Sequence, residues 1–165
     1  MSKTKASDSS EVESEAAPRR RLPPLLRRAW YSLNQAFRRR IAYSKLTPDQ
    51  FTILRQLTEG PREGLTQREI SALMSSDPNT IASLLDRMQA AELVERRPHE
   101  TDRRAHRVKL LPKGKKIFQE LRDIAIDLQN QVLSVLPEER REQFLTELEQ
   151  VADACLQHSR PPAEK

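Results

Sequence analysis

One stretch of fifty residues, Leu65 to Gly114, restricts this chain more than any other: LTQREISALMSSDPNTIASLLDRMQAAELVERRPHETDRRAHRVKLLPKG. It spells two short helices and then a basic hairpin. Thr66 and Glu69 form the T-x-x-E pattern of a capping box, so a helix is expected to begin at Gln67. Ile70, Leu73 and Met74 then recur at i, i+3 and i+4, the apolar face of a short helix. Ser75 and Ser76 interrupt the pattern, and Asp77-Pro78 restarts it. An aspartate at N-cap accepts from orphaned N–H groups, and a proline at the first helical position lacks only a donor that had no partner.

In the second helix Ile81, Leu84, Leu85 and Met88 fall at i, i+3, i+4 and i+7 and must face a core. Asn79, Thr80, Ser83 and Arg87 occupy a different stripe, made of short hydrogen-bonding side chains and one arginine. That chemistry suits a helix lying in the major groove of DNA, because small polar groups allow close approach to base edges. An ordinary amphipathic helix with a solvated polar face fits the same residues, so the helix alone does not decide.

The residues after it do. Leu93 to Arg97 and His106 to Leu110 alternate as strands, with Val108 and Leu110 on one face. Between them Pro98 to Ala105 is a polar loop whose tip carries Arg103 and Arg104. Helix, turn, helix and basic hairpin make a winged helix-turn-helix. The expected fold class is therefore mainly α with a small β-hairpin wing. From Glu92 to Lys116 nine Lys/Arg stand against four Asp/Glu, a surplus of five that equals the formal net charge of the whole chain. Positive charge is thus concentrated on the wing, where lysines neutralise phosphates and a loop arginine enters a minor groove.

Asp102-Arg103-Arg104, with Val108-Lys109-Leu110-Leu111-Pro112-Lys113-Gly114 after it, resembles the D-x-R…L-T-x-x-G wing signature of MarR-family transcriptional regulators. The segment IASLLDRMQAAELVERRPHETDRR is similar to the recognition helix and wing of that family, and the similarity extends more loosely over about Leu22 to Gln157. One departure is Leu111, where the family commonly has a threonine that caps the next helix. The resemblance implies a dimeric, sequence-specific regulator of transcription, most often a repressor, acting on palindromic double-stranded DNA. Asn79, Thr80 and Ser83 would read base edges in the major groove, and Arg87 would meet a phosphate or a guanine. Arg104, with Arg103, would enter the flanking minor groove, while Asp102 orients the wing arginine by a charge-assisted bond. A small-molecule effector, anionic or aromatic, would bind between the dimerisation helices and the winged helix and bias the spacing of the two recognition helices.

The remaining chain fits one such domain with an extension. Met1 to Ala17 is rich in Ser, Glu and Lys with Val12 as its only large apolar residue, so it is expected to be disordered. Pro18 to Arg21 gives this extension, residues 1–21, a basic end that is either an arm on DNA phosphates or a solubilising flank. A helix is expected over about 24–44, with Leu26, Trp30, Leu33, Phe37 and Ile41 as its apolar stripe; Trp30 and Tyr31 either line a ligand site or pack in a core. Thr47-Pro48-Asp49-Gln50 opens a scaffold helix with Phe51, Ile53, Leu54 and Leu57 buried. The DNA-binding winged helix thus covers about 47–111. Beyond it Ile117, Leu121, Ile124, Leu128 and Val132 form a long stripe, and after Leu136-Pro137 a last helix carries Phe144, Leu148, Val151 and Cys155. Helices at 24–44 and 112–158 cannot bury such stripes against a winged-helix core of roughly 70 residues alone. A second copy covers them, and a two-fold dimer matches half-sites about one DNA turn apart. The domain is expected over 22–158 with a frayed tail at 159–165.

Composition removes other classes. With 29 Lys+Arg against 24 Asp+Glu and a pI near 9.7, the chain favours a polyanion without choosing among DNA, RNA and membrane surface. Seven aromatic residues supply no stacking platform for single strands. Neither a run of 18 apolar residues nor the apolar region of a signal peptide is present, so a cytoplasmic protein with no membrane partner is expected. Cys155 is the only cysteine; it excludes an intrachain disulfide and sits on an apolar stripe, where packing is its default role. Redox-sensing members of the family use a cysteine near the first helix, and this chain has none there. Three glycines build no phosphate loop, and His99, His106 and His158 have no ligand-spaced partner, so neither metal nor cofactor is expected. No nucleophile and base can be paired, which argues against an enzyme. The competing reading is an effector-independent architectural DNA-binding protein with low sequence preference. Phosphate-only binding would favour Lys/Arg over the Asn79, Thr80 and Ser83 stripe.

Overall fold

A computed structural model describes residues 21–98 and 106–159. The described residues fall into two compact units divided between Leu33 and Asn34, and the first helix, α1 (Leu22–Arg40), has residues in both. In the first unit Leu22, Leu25, Trp30, Tyr31 and Leu33 are exposed, Trp30 to 65%. Packing of Trp30 and Tyr31 in a core of this chain is therefore not what is found. The helix also ends earlier than its apolar spacing suggests. Ala42–Ser44 is a separate 3-10 turn, closed by Lys45 in the left-handed region with φ 60°.

In the second unit Phe37 and Ile41 are buried at the end of α1 and the turn after it. Helix α2 (Pro48–Glu59) begins as its caps dictate: the Gln50 amide donates to Thr47 Oγ1 at 3.2 Å, and the Thr47 amide donates to Gln50 Oε1 at 3.0 Å. Phe51 of α2 meets Phe37 edge-on at 4.9 Å and stacks on Phe118 at 5.5 Å, a column that joins three helices. The Arg55 guanidinium lies 5.2 Å from the Phe51 ring centroid.

A two-residue strand, β1 (Leu65–Thr66), precedes α3 (Gln67–Leu73) and was not legible in the sequence, since two residues have no alternation to read. The wing strands are β2 (Val94–Pro98) and β3 (His106–Leu110). The sheet is antiparallel with order β1-β3-β2, pairing Leu65 with Val108 and Arg96 with Val108 from the other side. The expected β2–β3 hairpin is thus present, and β1 joins it as a third strand. Gly64 makes the approach to β1 at φ +89°, and a Cβ there would lie 2.3 Å from the Val108 carbonyl oxygen.

Helix α3 has its capping box, but its inward face is rotated from the expected one. Ile70 and Ser71 are buried while Leu73 is 52% exposed. The Ser71 hydroxyl is satisfied by donating to the Gln67 carbonyl at 2.9 Å, which lets a small polar residue take the inward position. The core is one cluster, drawn from α2, α3, the sheet and α4 (Pro78–Ala90), with Ile53, Leu54, Ile70, Ile81, Leu85, Met88, Val94 and Val108 among its members.

Helix α5 (Pro112–Leu133) starts after Leu111, an N-cap with no side-chain hydrogen bond, as a leucine in place of the family threonine dictates. Phe118, Leu121 and Leu128 join the core, but at the end of the stripe Leu133 is buried and Val132 exposed. The last helix, α6 (Glu138–Ser159), buries no residue fully. Phe144, Leu148, Leu156 and Cys155 are exposed along it, so Cys155 has no packing role within this single chain. No helix of the described residues is long and apolar enough to cross a membrane.

Candidate nucleic-acid interface

The turn between α3 and α4 fixes where α4 begins. Ser75 adopts φ 47°, and the Ser76 amide reaches back to the Ser71 carbonyl at 3.0 Å, a left-handed helix stop made without glycine. Asp77 is the N-cap of α4. Its Oδ1 accepts from the amides of Asn79 at 3.0 Å and Thr80 at 2.9 Å, and the Thr80 hydroxyl donates to Oδ2. The Thr80 hydroxyl, then the Thr80 and Asn79 amides, hold the Asp77 carboxyl below its ordinary pKa of 3.8 against a small opposing desolvation. Gln67 Nε2 donates to the Pro78 carbonyl at 3.1 Å and ties the start of α3 to the start of α4.

At 3.6 residues per turn α4 divides into stripes. Ile81, Leu84, Leu85 and Met88 are buried. Asn79, Thr80, Ser83 and Arg87 are all exposed and share an arc of about 100° on the other side. Among the described residues no hydrogen bond or ion pair engages the side chains of Asn79, Ser83 or Arg87. Thr80 differs, because its hydroxyl hydrogen serves the cap, which leaves the oxygen lone pairs as acceptors. Asp102, Arg103 and Arg104 lie outside the described residues.

The wing's positive charge is less available than its count suggests. Arg96 Nη1 donates to Asp86 Oδ1 at 2.6 Å and to Gln89 Oε1 at 3.1 Å. Arg107 Nη1 donates to the Gly64 carbonyl at 3.2 Å, and Arg97 pairs with Glu95 at 2.6 Å. Lys113 Nζ donates to the Ala91 carbonyl at 2.7 Å, with the Glu92 carboxylate 3.8 Å away, and so covers the C-terminus of α4. These four cations brace the wing and its junctions, whereas Lys109 and Lys115 make no such contact among the described residues. Sequence reasoning counted Arg96 as surface charge and passed over Asp86 and Gln67. The single signal was Asp86, the one acid on α4, and its partner ten residues on is not readable from spacing.

The MarR family model matches residues 44–105, which hold α2, α3, α4 and the first wing strand. BilQ of Clostridium symbiosum, an HTH-type transcriptional regulator, is 32% identical over 92 residues, covering 56% of this chain and 64% of that protein. YsmB of Bacillus subtilis, an uncharacterized HTH-type transcriptional regulator, is 43% identical over 76 residues, 46% of this chain and 51% of its own length. The chain therefore spans between half and two thirds of the length of these curated relatives. Among solved structures, the transcriptional repressor CouR of Rhodococcus jostii RHA1, bound to a 23-mer DNA duplex, superposes with a TM-score of 0.70 at 26% identity, covering 78% of this chain and 89% of CouR. CouR is also known bound to p-coumaroyl-CoA. With the helix-turn-helix, the wing sheet and these relatives in agreement, residues 44–105 are similar to the winged helix-turn-helix of the MarR family.

Proposed function

We propose that this protein is a sequence-specific, double-stranded DNA-binding regulator of transcription, a repressor rather than an enzyme, acting in the cytoplasm as a homodimer on palindromic operators. The observation that carries the reading is the exposed stripe of α4. Asn79, Ser83 and Arg87 stand clear of intramolecular partners among the described residues, on a helix whose opposite face is locked into the core. The winged helix over about 47–111 presents this stripe to the major groove, where Asn79 and Ser83 read base edges, Thr80 contributes its methyl group and lone pairs, and Arg87 meets phosphate or guanine. Arg103 and Arg104, with Asp102 as the orienting acid, act in the flanking minor groove. The repressor CouR on its duplex supports both the DNA partner and the sign of regulation.

The uncovered apolar residues of α6 favour a second copy as their cover, and two-fold symmetry favours an inverted repeat. A small anionic or aromatic effector is part of the proposal. Arg40 Nη2 donates to Gln131 Oε1 at 2.6 Å, while its Nη1 is buried without an acceptor among the described residues. A buried donor left unpaired is costly, and an anionic group satisfies it. The anionic, aromatic ligand of CouR is of that chemistry.

Selection of duplexes from a random library tests the proposal. Enrichment of an inverted repeat with centres about one helical turn apart supports it. Binding without enrichment, with a steep loss of affinity in salt, would favour an architectural protein instead.

A further inference from the structure

Helix α4 has a third stripe besides the buried one and the exposed reading stripe. Ala82, Asp86 and Gln89, at i, i+4 and i+7, run alongside the reading stripe, and one side chain from the wing grips all three. Arg96 Nη1 donates to Asp86 Oδ1 at 2.6 Å and Gln89 Oε1 at 3.1 Å, and Nη2 donates to the Ala82 carbonyl at 3.4 Å. The Arg96 side chain is 25% exposed, so the planar fork is held against the helix rather than waving in solvent. Arg96 sits on β2, the strand that leads out to Arg103 and Arg104.

We propose that Arg96 and Asp86 are positioning residues for DNA recognition: the fork fixes the rotation of α4 relative to β2, and with it the offset between major-groove and minor-groove contacts. This rests on the DNA-reading function proposed above. Between Ala90 and Val94 the backbone link is only Ala91-Glu92-Leu93, with Glu92 in the left-handed region at φ 58°. A three-point clamp spanning two turns of the helix resists the roll that such a link leaves open. A partly exposed ion pair adds little to folding stability, so its consequence is expected in where groups are held.

Charge alone makes the opposite forecast, which renders the inference decidable. A carboxylate on a helix that meets a polyanion repels it, so simple electrostatics has Asp86→Ala bind DNA more tightly. Loss of positioning has it bind its chosen sequence more weakly.

The experiment measures affinities of the full chain for the duplex it selects and for a scrambled duplex, at one salt concentration. A scan of single base-pair substitutions across the selected site accompanies them. Asp86→Ala and Arg96→Ala are each expected to lower the selected-to-scrambled ratio about tenfold, the discrimination of roughly one base pair. The loss should concentrate at the outer, wing-facing positions of the scan, and for Asp86→Ala the affinity for scrambled DNA should not fall. Asp86→Asn keeps an acceptor for the fork and should recover most of the ratio, while Arg96→Lys keeps the charge without the fork and should not. If Asp86→Ala binds both duplexes more tightly with the scan unchanged, the inference is overturned alone. If the wild type shows no preference between duplexes, the DNA-reading function falls and the inference with it.

Discussion

Gly114 shows how one residue can be required for a reason invisible in its own neighbourhood. It lies in the first turn of α5, and a Cβ built there would sit 2.2 Å from the Leu93 carbonyl oxygen and 3.0 Å from its carbon. The same carbonyl accepts from the Leu111 amide at 3.0 Å, so it cannot move without breaking the junction between wing and helix. Gly114→Ala should therefore destabilise the protein by about 1–3 kcal/mol even though alanine favours a helix, as overpacked positions do. Chemical denaturation measures it, and a stability equal to or above wild type would show that the junction yields. The glycine was legible as part of a wing signature; its steric cause was not. The reverse holds at Ser75 and Glu92, which adopt left-handed φ values of 47° and 58° that a reader would assign to glycine or asparagine.

Among the elements, those with side-chain caps had legible starts. Thr47, Thr66 and Asp77 mark the beginnings of α2, α3 and α4 because each cap is a local contact between residues two or three apart. What depended on distant partners was not legible. The two-residue strand β1 exists only by pairing with β3, and the inward turn of Ser71 in place of Leu73 comes from the packing of a seven-residue helix. The bracing roles of Arg96, Arg107 and Lys113 also depend on long-range geometry, so a charge count overstated what the wing offers to phosphate. The cap of α4 carries a pH-dependent test. Because Asp77 has a lowered pKa in the fold, its contribution is complete above the ordinary value of 3.8 and is lost as pH falls through the lower folded value. Asp77→Ala should lower Tm at neutral pH, and the gap from wild type should shrink under acid conditions below about pH 4. A gap independent of pH would mean that the ionised carboxylate is not what caps the helix.

For the whole molecule, stability and function meet at the cover of α6. Phe144 and Leu148 lie one turn apart on it, 40% and 37% exposed. If a second copy covers them, the double variant Phe144→Glu, Leu148→Glu should weaken the dimer by roughly 30-fold or more, the scale of one interface hot spot. Light scattering across a concentration series reads this, and an unchanged dimer would place the interface elsewhere. A dimer would matter because a single recognition helix specifies few base pairs, and a two-fold would double that number.

Whether the exposed stripe of α4 reads sequence decides the function of the whole molecule. The quantity to measure is the ratio of affinities for the selected duplex and its scrambled counterpart at fixed salt, for the wild type and for the Asn79→Ala, Ser83→Ala double variant. A reading stripe gives a wild-type ratio of at least ~10³ that the double variant cuts by about tenfold or more, with affinity for scrambled DNA nearly unchanged. A wild-type ratio near one, or a ratio the double variant leaves intact, would contradict it.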